Sequence, residues 1–377
     1  MKKLKVALVV PGGVDRSGEY RVIPALVALI GRLARLVDLR VFALMQEPRP
    51  ATWTLAGAQI RNIGGRATAA RAIAAIHREH RAGAFDVLHS MWAGAPGVVG
   101  VAAAKLLRKP CLVHVAGGEL VALHDIDYGD CLHWWGRARE RFVMRGATRV
   151  SAASAPIIEQ IARFGVGALR IPLGVDREAW PPAAPRRRDP LAAARLVHVA
   201  SLNRVKDQPT LLQAMRLLVD GGANIHLDVV GEDTLRGAMQ ALTARLGLAP
   251  FVTFHGFRTQ RELRPIMESA HVHIVSSLHE AGPIAMLEAA MLGVPTAGTA
   301  VGHVREWMPN AALGATPGDA PGLASAIRAL LGDEDLRLRM GHEAQARAVA
   351  ADADFTAARF LEVYGSMPNT AHTDDIV

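Results

Sequence analysis

The sequence predicts an α/β protein built from two doubly wound parallel-sheet domains facing a cleft. Strand-like apolar runs alternate with helical patterns along nearly the whole chain. One Pro- and Arg-rich stretch, residues 181–190, interrupts that alternation and reads as the linker. The 377 residues allow each half a core of its own. The expected division is 1–180 and 181–351.

The first strand, residues 4–10, runs into Pro11-Gly12-Gly13 and then a helical pattern of Val22, Leu26, Leu29, Ile30, Leu33 and Leu36. Glycines here let backbone approach a ligand, or simply make a tight turn; there is neither a spaced GxGxxG nor a Walker lysine. Residues 39–44 and 59–63 continue as strands, 67–80 as an Ala-rich helix, 85–90 as a strand and 95–107 as a helix. The strand 111–116 ends in Gly117-Gly118-Glu119, a glycine pair and an acid where open α/β sheets bind ligands. The segment 134–149 looks helical and sets Arg137, Arg139, Arg141, Arg145 and Arg149 beside Trp134, Trp135 and Phe142. It is the best candidate for contact with an anionic membrane or acceptor, although long Arg stems covering apolar surface read the same way. A strand at 148–154 follows, with Ser154 placed to cap a helix near Pro156.

Five further strands are expected at 196–201, 225–230, 251–254, 271–275 and 294–298. After the first of them, Ser201-Leu202-Asn203-Arg204-Val205-Lys206-Asp207 places two cations before a helix at 208–219. Such cations suit a diphosphate, Lys as a point charge and Arg as a fork; alone, the pair also reads as solvated surface.

The chain is organised around residues 276–295. A buried strand leads through Ser277-Leu278-His279-Glu280-Ala281-Gly282 to Pro283, where a first helical turn tolerates a missing N–H. Gly293 and Pro295 then stop a short helix. The helix N-terminus offers backbone N–H groups to a phosphate. Glu280 precedes it and Glu288 lies within it, roughly 12 Å apart at helical rise, about the length of a nucleotide sugar from ribose to hexose. Both can accept hydrogen bonds from hydroxyl pairs; equally, one can cap the helix and the other make a surface pair.

Residues 1–180 carry 25 Lys and Arg against 14 Asp and Glu, and residues 181–377 carry 18 against 21. The basic first half is a candidate for an anionic acceptor or membrane surface. Without an aromatic-interleaved basic stripe, nucleic acid is not expected as a partner. The initial Lys-rich, apolar segment stops at Pro11-Gly12-Gly13 and reads as a strand rather than a leader, so a cytoplasmic protein, peripheral at most to the inner membrane face, is expected. Cys111 and Cys131 make no disulfide framework, and fifteen scattered histidines make no metal spacing. No metal and no cofactor are expected.

The stretch from Ser277 to Pro295 closely resembles the E-x7-E motif of retaining glycosyltransferases of family 4, which have the GT-B fold. Asp86-Val87-Leu88-His89, Gly117-Gly118-Glu119, Pro172-Leu173-Gly174-Val175-Asp176, Val230-Gly231-Glu232 and Phe254-His255-Gly256-Phe257 resemble the family's other landmarks, in its order. The resemblance implies transfer of a sugar from a nucleotide diphosphate sugar, with retention and without metal, to a lipid-linked, polysaccharide or small-molecule acceptor. It implies that Glu288 holds ribose, Glu280 the donor sugar, Lys206 the diphosphate and the Gly256 region the base. Gly13 would back the phosphates, and Gly282, Pro283 and Ile284 would open the donor helix. Gly117, Gly118 and Glu119 would meet the acceptor, and the family's last helix, here at about 352–377, would cross back to the first half.

Three positions depart from the family pattern. Ser201 stands where an Arg is usual, leaving Arg204 to substitute; Ala116 stands for a His; and Pro283 stands for a Gly, removing one N–H donor. No second carboxylate is evident as a nucleophile, so same-face attack is expected, with a covalent intermediate on Glu280 as the alternative. A GT-B epimerase or phosphorylase, or a sugar-binding protein without catalysis, also fits paired α/β domains.

Overall fold

The computed structural model describes residues 3–368. Of these, the residues up to Leu173 and from Ala353 onward form one compact unit, and Gly174–Asp352 form the other.

The first unit contains, in order, β1 (Lys5–Val10), α1 (Pro24–Leu36), β2 (Asp38–Ala43), β3 (Ala51–Leu55), β4 (Ala58–Asn62), α2 (Thr68–Ala82) and β5 (Val87–Met91). It continues through α3 (Gly94–Leu107), β6 (Cys111–Val115), α4 (Trp134–Gly146), β7 (Arg149–Ala152), α5 (Ala155–Ala162) and β8 (Leu169–Arg170). The sheet order is β3-β4-β2-β1-β5-β6-β7-β8. All neighbours are parallel except β3, which lies antiparallel on β4 and makes this sheet mixed. Strand β3 escapes sequence reading because only Leu55 of its five residues is buried, so it carries no apolar run. The helix expected over 134–149 stops at Gly146; Arg149 belongs to β7, where Thr148 and Arg149 turn into the sheet beside Cys111 and Leu112.

The second unit contains β9 (Ala194–Val199), α6 (Gln208–Asp220), β10 (Ile225–Val230), α7 (Ala238–Arg245), β11 (Val252–Gly256), α8 (Gln260–Ser269) and β12 (Val272–Val275). These are followed by α9 (Ile284–Met291), β13 (Thr296–Thr299), α10 (Gly302–Trp307), β14 (Ala312–Ala315), α11 (Ala320–Gly332) and α12 (Glu334–Ala350). Its parallel sheet has the order β11-β10-β9-β12-β13-β14. The chain winds outward from β9 in one direction and from β12 in the other, so the loops after β9 and β12 meet at a topological switch point. In the first sheet the corresponding point lies between β1 and β5.

Residues 181–190 do not behave as a free linker. Val175 and Trp180 already pack in the second unit's core with Met286, Leu287 and Val304. The Ala183 N–H bonds the Met291 carbonyl at 3.0 Å, and the Arg188 N–H bonds Glu334 at 2.8 Å. The prolines therefore run as a strap over the second unit, and the division falls at Leu173. Trp180 is fully buried, and replacing it with Ala should cost on the order of 3–5 kcal/mol.

After α12 the chain returns to the first unit as α13 (Ala353–Ser366). The Arg32 guanidinium binds Asp354 at 2.9 Å, Thr356 donates to the Pro172 carbonyl at 2.8 Å, and Phe360 packs on the rings of His89 and His114. His89 meets the Tyr364 hydroxyl at 2.7 Å. Burial, reinforced by His114, pushes His89 well below the ordinary histidine range, so it is a neutral core group that locks this helix in place. The rest of the segment expected to cross back, residues 369–377, lies outside the described residues.

Candidate functional site

The second unit's switch point brings together the loops that follow two adjacent parallel strands. After β9, residues Arg204–Lys206 form one 3-10 turn, capped by Asn203, whose side chain accepts the Lys206 N–H at 3.1 Å. After β12, residues 276–283 form an irregular loop before α9. The two loops are stitched by backbone and side chain. The Leu278 N–H donates to the Val205 carbonyl at 2.8 Å, and the Ser276 hydroxyl donates to the Lys206 carbonyl at 2.7 Å. From β13, Thr299 donates its hydroxyl to the Ser277 carbonyl at 2.6 Å. Gly302 approaches so closely that a Cβ there would sit 2.9 Å from the Glu280 carbonyl oxygen, so a side chain would push the loop out of place.

This frame sets Lys206 against Glu280. The ammonium lies 2.5 Å from Glu280 Oε1, and the Ser277 hydroxyl donates to the same oxygen at 2.6 Å. Burial raises the Glu280 carboxyl, but the Lys206 charge and the hydrogen bonds from Lys206 and Ser277 outweigh it and hold the group below its ordinary value. Glu280 is therefore an ionised acceptor at neutral pH and unsuited to act as a general acid.

Glu288 is different. It sits in α9 between Leu287 and Ala289, both buried, and is only 5% exposed itself. It accepts a hydrogen bond from a neutral partner, Gln260 Nε2 at 3.2 Å from the first turn of α8. Burial pushes its carboxyl up to about 7 against the small lowering from Gln260. A carboxylate buried without a cation is costly, which argues for a ligand-binding rather than a structural group. Because α9 begins only at Ile284 and 280–283 is loop, the helical-rise spacing expected between the two carboxylates does not apply.

The remaining expected donor residues lie around this pair. Pro283 is the N-cap of α9 and no side chain caps the helix, so the backbone of Ile284 opens a helix end free of acidic side chains. Gly282 is half-buried in the loop before it. Ser201 accepts at its carbonyl from Gln208 Nε2 at 3.2 Å, Arg204 is exposed beside Lys206, and Gly256 closes β11 with its carbonyl bonded to the Gly231 N–H at 2.9 Å.

Sequence reading misses the layer beneath. His198 on β9 contacts the Ile274 carbonyl through Nδ1 at 3.0 Å and Gln208 through Nε2 at 3.2 Å, which fits an Nδ1–H tautomer accepting from the Gln208 amide. Burial holds His198 down at about 4, so it is neutral and props the loop that carries Ser201. Nothing distinguishes such a histidine from others in apolar strands. Ser277, three residues before Glu280, has a readable local spacing.

In the first unit, Gly13 follows β1 with φ +76° and packs on Ile23, where a Cβ would come within 2.7 Å. Glu119 is 5% exposed and turned into its own loop, accepting from the Ala93 N–H at 3.0 Å and the Ala116 N–H at 3.3 Å. Burial raises its carboxyl, while the N–H groups of Glu119, Ala93, Ala116 and Gly117 lower it. Gly118 lies so close to Tyr128 that a Cβ would stand 2.5 Å from its hydroxyl. The Gly117-Gly118-Glu119 turn is thus a packed anchor between the loops after β5 and β6.

Helix α4 has two clean faces. Gly136, Glu140, Val143 and Met144 are buried, while Trp134, Trp135 and Phe142 are 74%, 54% and 40% exposed beside Arg137, Arg141 and Arg145. Arg139 turns away to Asp130 at 2.7 Å and Glu140 at 2.9 Å, so three of the five arginines expected there share the outer face. Among the described residues no helix is long and apolar enough to cross a membrane.

Comparison with known proteins agrees with this layout. Residues 187–347 match the family model described as glycosyl transferases group 1, and residues 22–174 match a glycosyl transferase 4-like domain. Curated relatives include a D-inositol 3-phosphate glycosyltransferase of Corynebacterium urealyticum, 27% identical over 212 residues, which are 52% of this chain and 50% of the relative. Another is a glycogen synthase of Mycobacterium tuberculosis, 27% identical over 216 residues, 56% of this chain and 52% of the relative. The match thus spans about half the length of these curated relatives. Among solved structures, sucrose-phosphate synthase from Thermosynechococcus elongatus superposes with a TM-score of 0.81 at 19% identity, covering 96% of this chain and 98% of that one. Anabaena HepE, solved in complex with UDP-glucose, gives 0.72 at 17%, covering 96% and 100%. Two units of α/β architecture, each matched by its own domain model, place this chain in the glycosyl transferases group 1 family, with the GT-B fold.

Proposed function

We propose that the protein is a retaining, metal-independent glycosyltransferase that moves a sugar from a nucleotide diphosphate sugar to an acceptor. The observation that carries this reading is the ionised Lys206–Glu280 pair, held at 2.5 Å by two stitched loops at a switch point. Donor and cation belong together there: Lys206, Arg204 and the α9 N-terminus neutralise a diphosphate, Ser201 and Gly256 flank the nucleotide, and Glu288 accepts from ribose hydroxyls. Gly282, Pro283 and Ile284 shape the turn against the phosphates. Glu280 accepts from hydroxyls of the sugar and fixes its orientation.

In the reaction we envisage, the acceptor hydroxyl attacks the anomeric carbon on the face that the diphosphate leaves. The bond from the anomeric carbon to the diphosphate oxygen breaks, and that oxygen takes the acceptor's proton. Lys206 and the helix N-terminus stabilise the charge growing on the leaving group. One feature favours this over a covalent intermediate on Glu280: one carboxylate oxygen is already held by both Lys206 and Ser277, and both bonds reduce its nucleophilicity.

The acceptor belongs to the first unit in this reading, with Gly117, Gly118 and Glu119 shaping its floor. The outer face of α4 supports peripheral contact with an anionic membrane, since exposed indoles beside arginines suit the interfacial region of a bilayer. The test is thermal unfolding with UDP, ADP or GDP in chelator, followed by the anomeric configuration of the product. A nucleoside diphosphate should raise the melting temperature without divalent metal. Stabilisation that appears only with Mg²⁺ or Mn²⁺, or an inverted product, would overturn the proposal.

A further inference from the structure

The first unit contains a cavity of about 380 Å³ that the donor chemistry does not use. It lies between the outer edge of the sheet and α2. Thr52 of β3 and Arg61 and Asn62 of β4 form one wall, and Arg71, Ala75 and Arg78 of α2 form the other. Residues 71, 75 and 78 share one helix face by their spacing. Because β4 runs parallel to β2, and β2 to β1, this wall is at the carboxyl end of the strands, the side on which open α/β sheets take ligands.

Three arginines therefore line one space. Only one of them is near an acid: Arg61 lies 3.8 Å from Glu79, which is itself engaged by Arg40 at 3.0 Å. Among the described residues no carboxylate pairs with Arg71 or Arg78. The surroundings are built to hold this arrangement. The Asn62 amide donates to the carbonyls of Glu47 at 2.8 Å and Arg49 at 2.7 Å, and its oxygen accepts the Gln46 N–H at 2.9 Å, which fixes the loop ahead of β3. Arg71 donates to the Gly64 carbonyl at 3.0 Å and lies across Gly65, where a Cβ would stand 2.5 Å from its Nη1 and φ is +70°. A side chain at Gly65 would displace that guanidinium.

We propose that this cavity is an anion site that takes the phosphate group of a small phosphomonoester, separate from the donor site. Three forked donors match the three terminal oxygens of a phosphomonoester better than the two of a carboxylate. The volume is within the range of small-molecule sites. That the phosphate is the acceptor's anionic handle rests on the transferase reading; the binding itself does not.

The experiment is calorimetry with inorganic phosphate and with glycerol 3-phosphate, at ionic strength matched with chloride, alongside flotation on vesicles containing phosphatidate. It compares the parent, Arg71→Ala/Arg78→Ala, Arg71→Lys/Arg78→Lys and Lys206→Ala. The alanine pair should weaken phosphate binding by about tenfold or more, and the lysine pair by less, since it keeps charge but loses the fork. Lys206→Ala should retain it, and UDP stabilisation should be unchanged in the alanine pair. Binding of the soluble phosphates assigns a free phosphorylated ligand; binding of phosphatidate vesicles alone, lost in the alanine pair, assigns a lipid headgroup carrying the same chemistry. Phosphate binding that is absent from the parent on both arms, undiminished in the alanine pair, or lost in Lys206→Ala instead would overturn the site. Failure of UDP to bind would count against the transferase reading alone.

Discussion

The two units solve the same topological problem with different chemistry. At the switch point of the second sheet, β9 and β12 deliver charged side chains whose loops are bonded to each other, and Lys206 and Glu280 meet at 2.5 Å. In the first sheet one oxygen of the buried Glu119 carboxylate, Oε1, accepts from backbone N–H groups of the surrounding loops, and Gly13 packs on Ile23. Among the described residues of the first unit, cations paired with no carboxylate include Arg71 and Arg78 of α2 and Arg141 and Arg145 on the outer face of α4. One switch point is thus organised for polar chemistry by side chains, and the other is organised for shape by the main chain. In this account that division assigns the donor to the second unit and leaves the first free to vary with its acceptor.

Substitutions can break the comparison, and the largest effect belongs to the ion pair. Lys206→Ala should lower turnover by roughly 10²–10³, because it removes charge stabilisation of the leaving group and strands Glu280 as a buried acid without its cation. Assays at saturating donor check this; turnover within a few-fold of the parent would dissolve the contrast between the two switch points.

Next comes Glu288. Glu288→Ala should weaken nucleoside diphosphate binding by roughly 1–3 kcal/mol, the scale of a hydrogen bond to a charged acceptor. Its stability effect has a definite sign. Folding raises this carboxyl from 4.5 to about 7, so the folded protein retains a proton that the unfolded chain releases. That contribution is full below the unfolded value and disappears as pH rises through about 7. Glu288→Gln, which keeps the shape without the charge, should match the parent at acid pH and exceed its stability at pH 8 by roughly 1–3 kcal/mol in urea titrations. A constant difference across pH would show that Glu288 is not held protonated by burial.

The first unit's anchor should respond in the opposite way. Glu119→Ala leaves the N–H groups of Ala93 and Ala116 without their acceptor and should cost roughly 1–3 kcal/mol of stability, read by chemical denaturation, while nucleotide affinity stays unchanged. A selective loss of nucleotide binding would move Glu119 into the donor site. The smallest effect is expected at α4: replacing Trp134, Arg141 and Arg145 together should reduce flotation with anionic vesicles, an association that added salt also weakens, without touching turnover on a soluble acceptor. Equal binding to neutral vesicles would favour simple apolar contact.

What the sequence discloses follows the same division. The loop proposed to hold the donor is readable because the proposed chemistry needs particular residue types at particular spacings: Lys206 before a helix, and Glu280 and Glu288 around the Pro283 turn. Strand–helix alternation likewise gives both sheets, because parallel strands are buried on both faces and appear as continuous apolar runs. The antiparallel strand β3 is hidden since its residues are mostly exposed, and the 181–190 strap is mistaken for a linker because proline content reports local stiffness and says nothing of what the segment packs against. His198 and Gln260 are invisible for a related reason. Their roles depend on partners distant in the chain, Gln208, Ile274 and Glu288, which only the fold brings within reach. Arg139 looks equivalent to its neighbours until the fold turns it to Asp130 and Glu140.

The central proposal is that the two acids in the second unit have separate tasks. Calorimetry of nucleoside diphosphate binding and turnover with the identified donor, measured on both Glu280→Ala and Glu288→Ala, tests it. Glu280→Ala should bind the nucleotide within a few-fold of the parent yet lose roughly 10²-fold or more in turnover, since its contacts are with the sugar in the transition state. Glu288→Ala should show its loss chiefly in nucleotide affinity. Equal losses of nucleotide affinity in both, or full turnover in Glu280→Ala, would contradict the assignment.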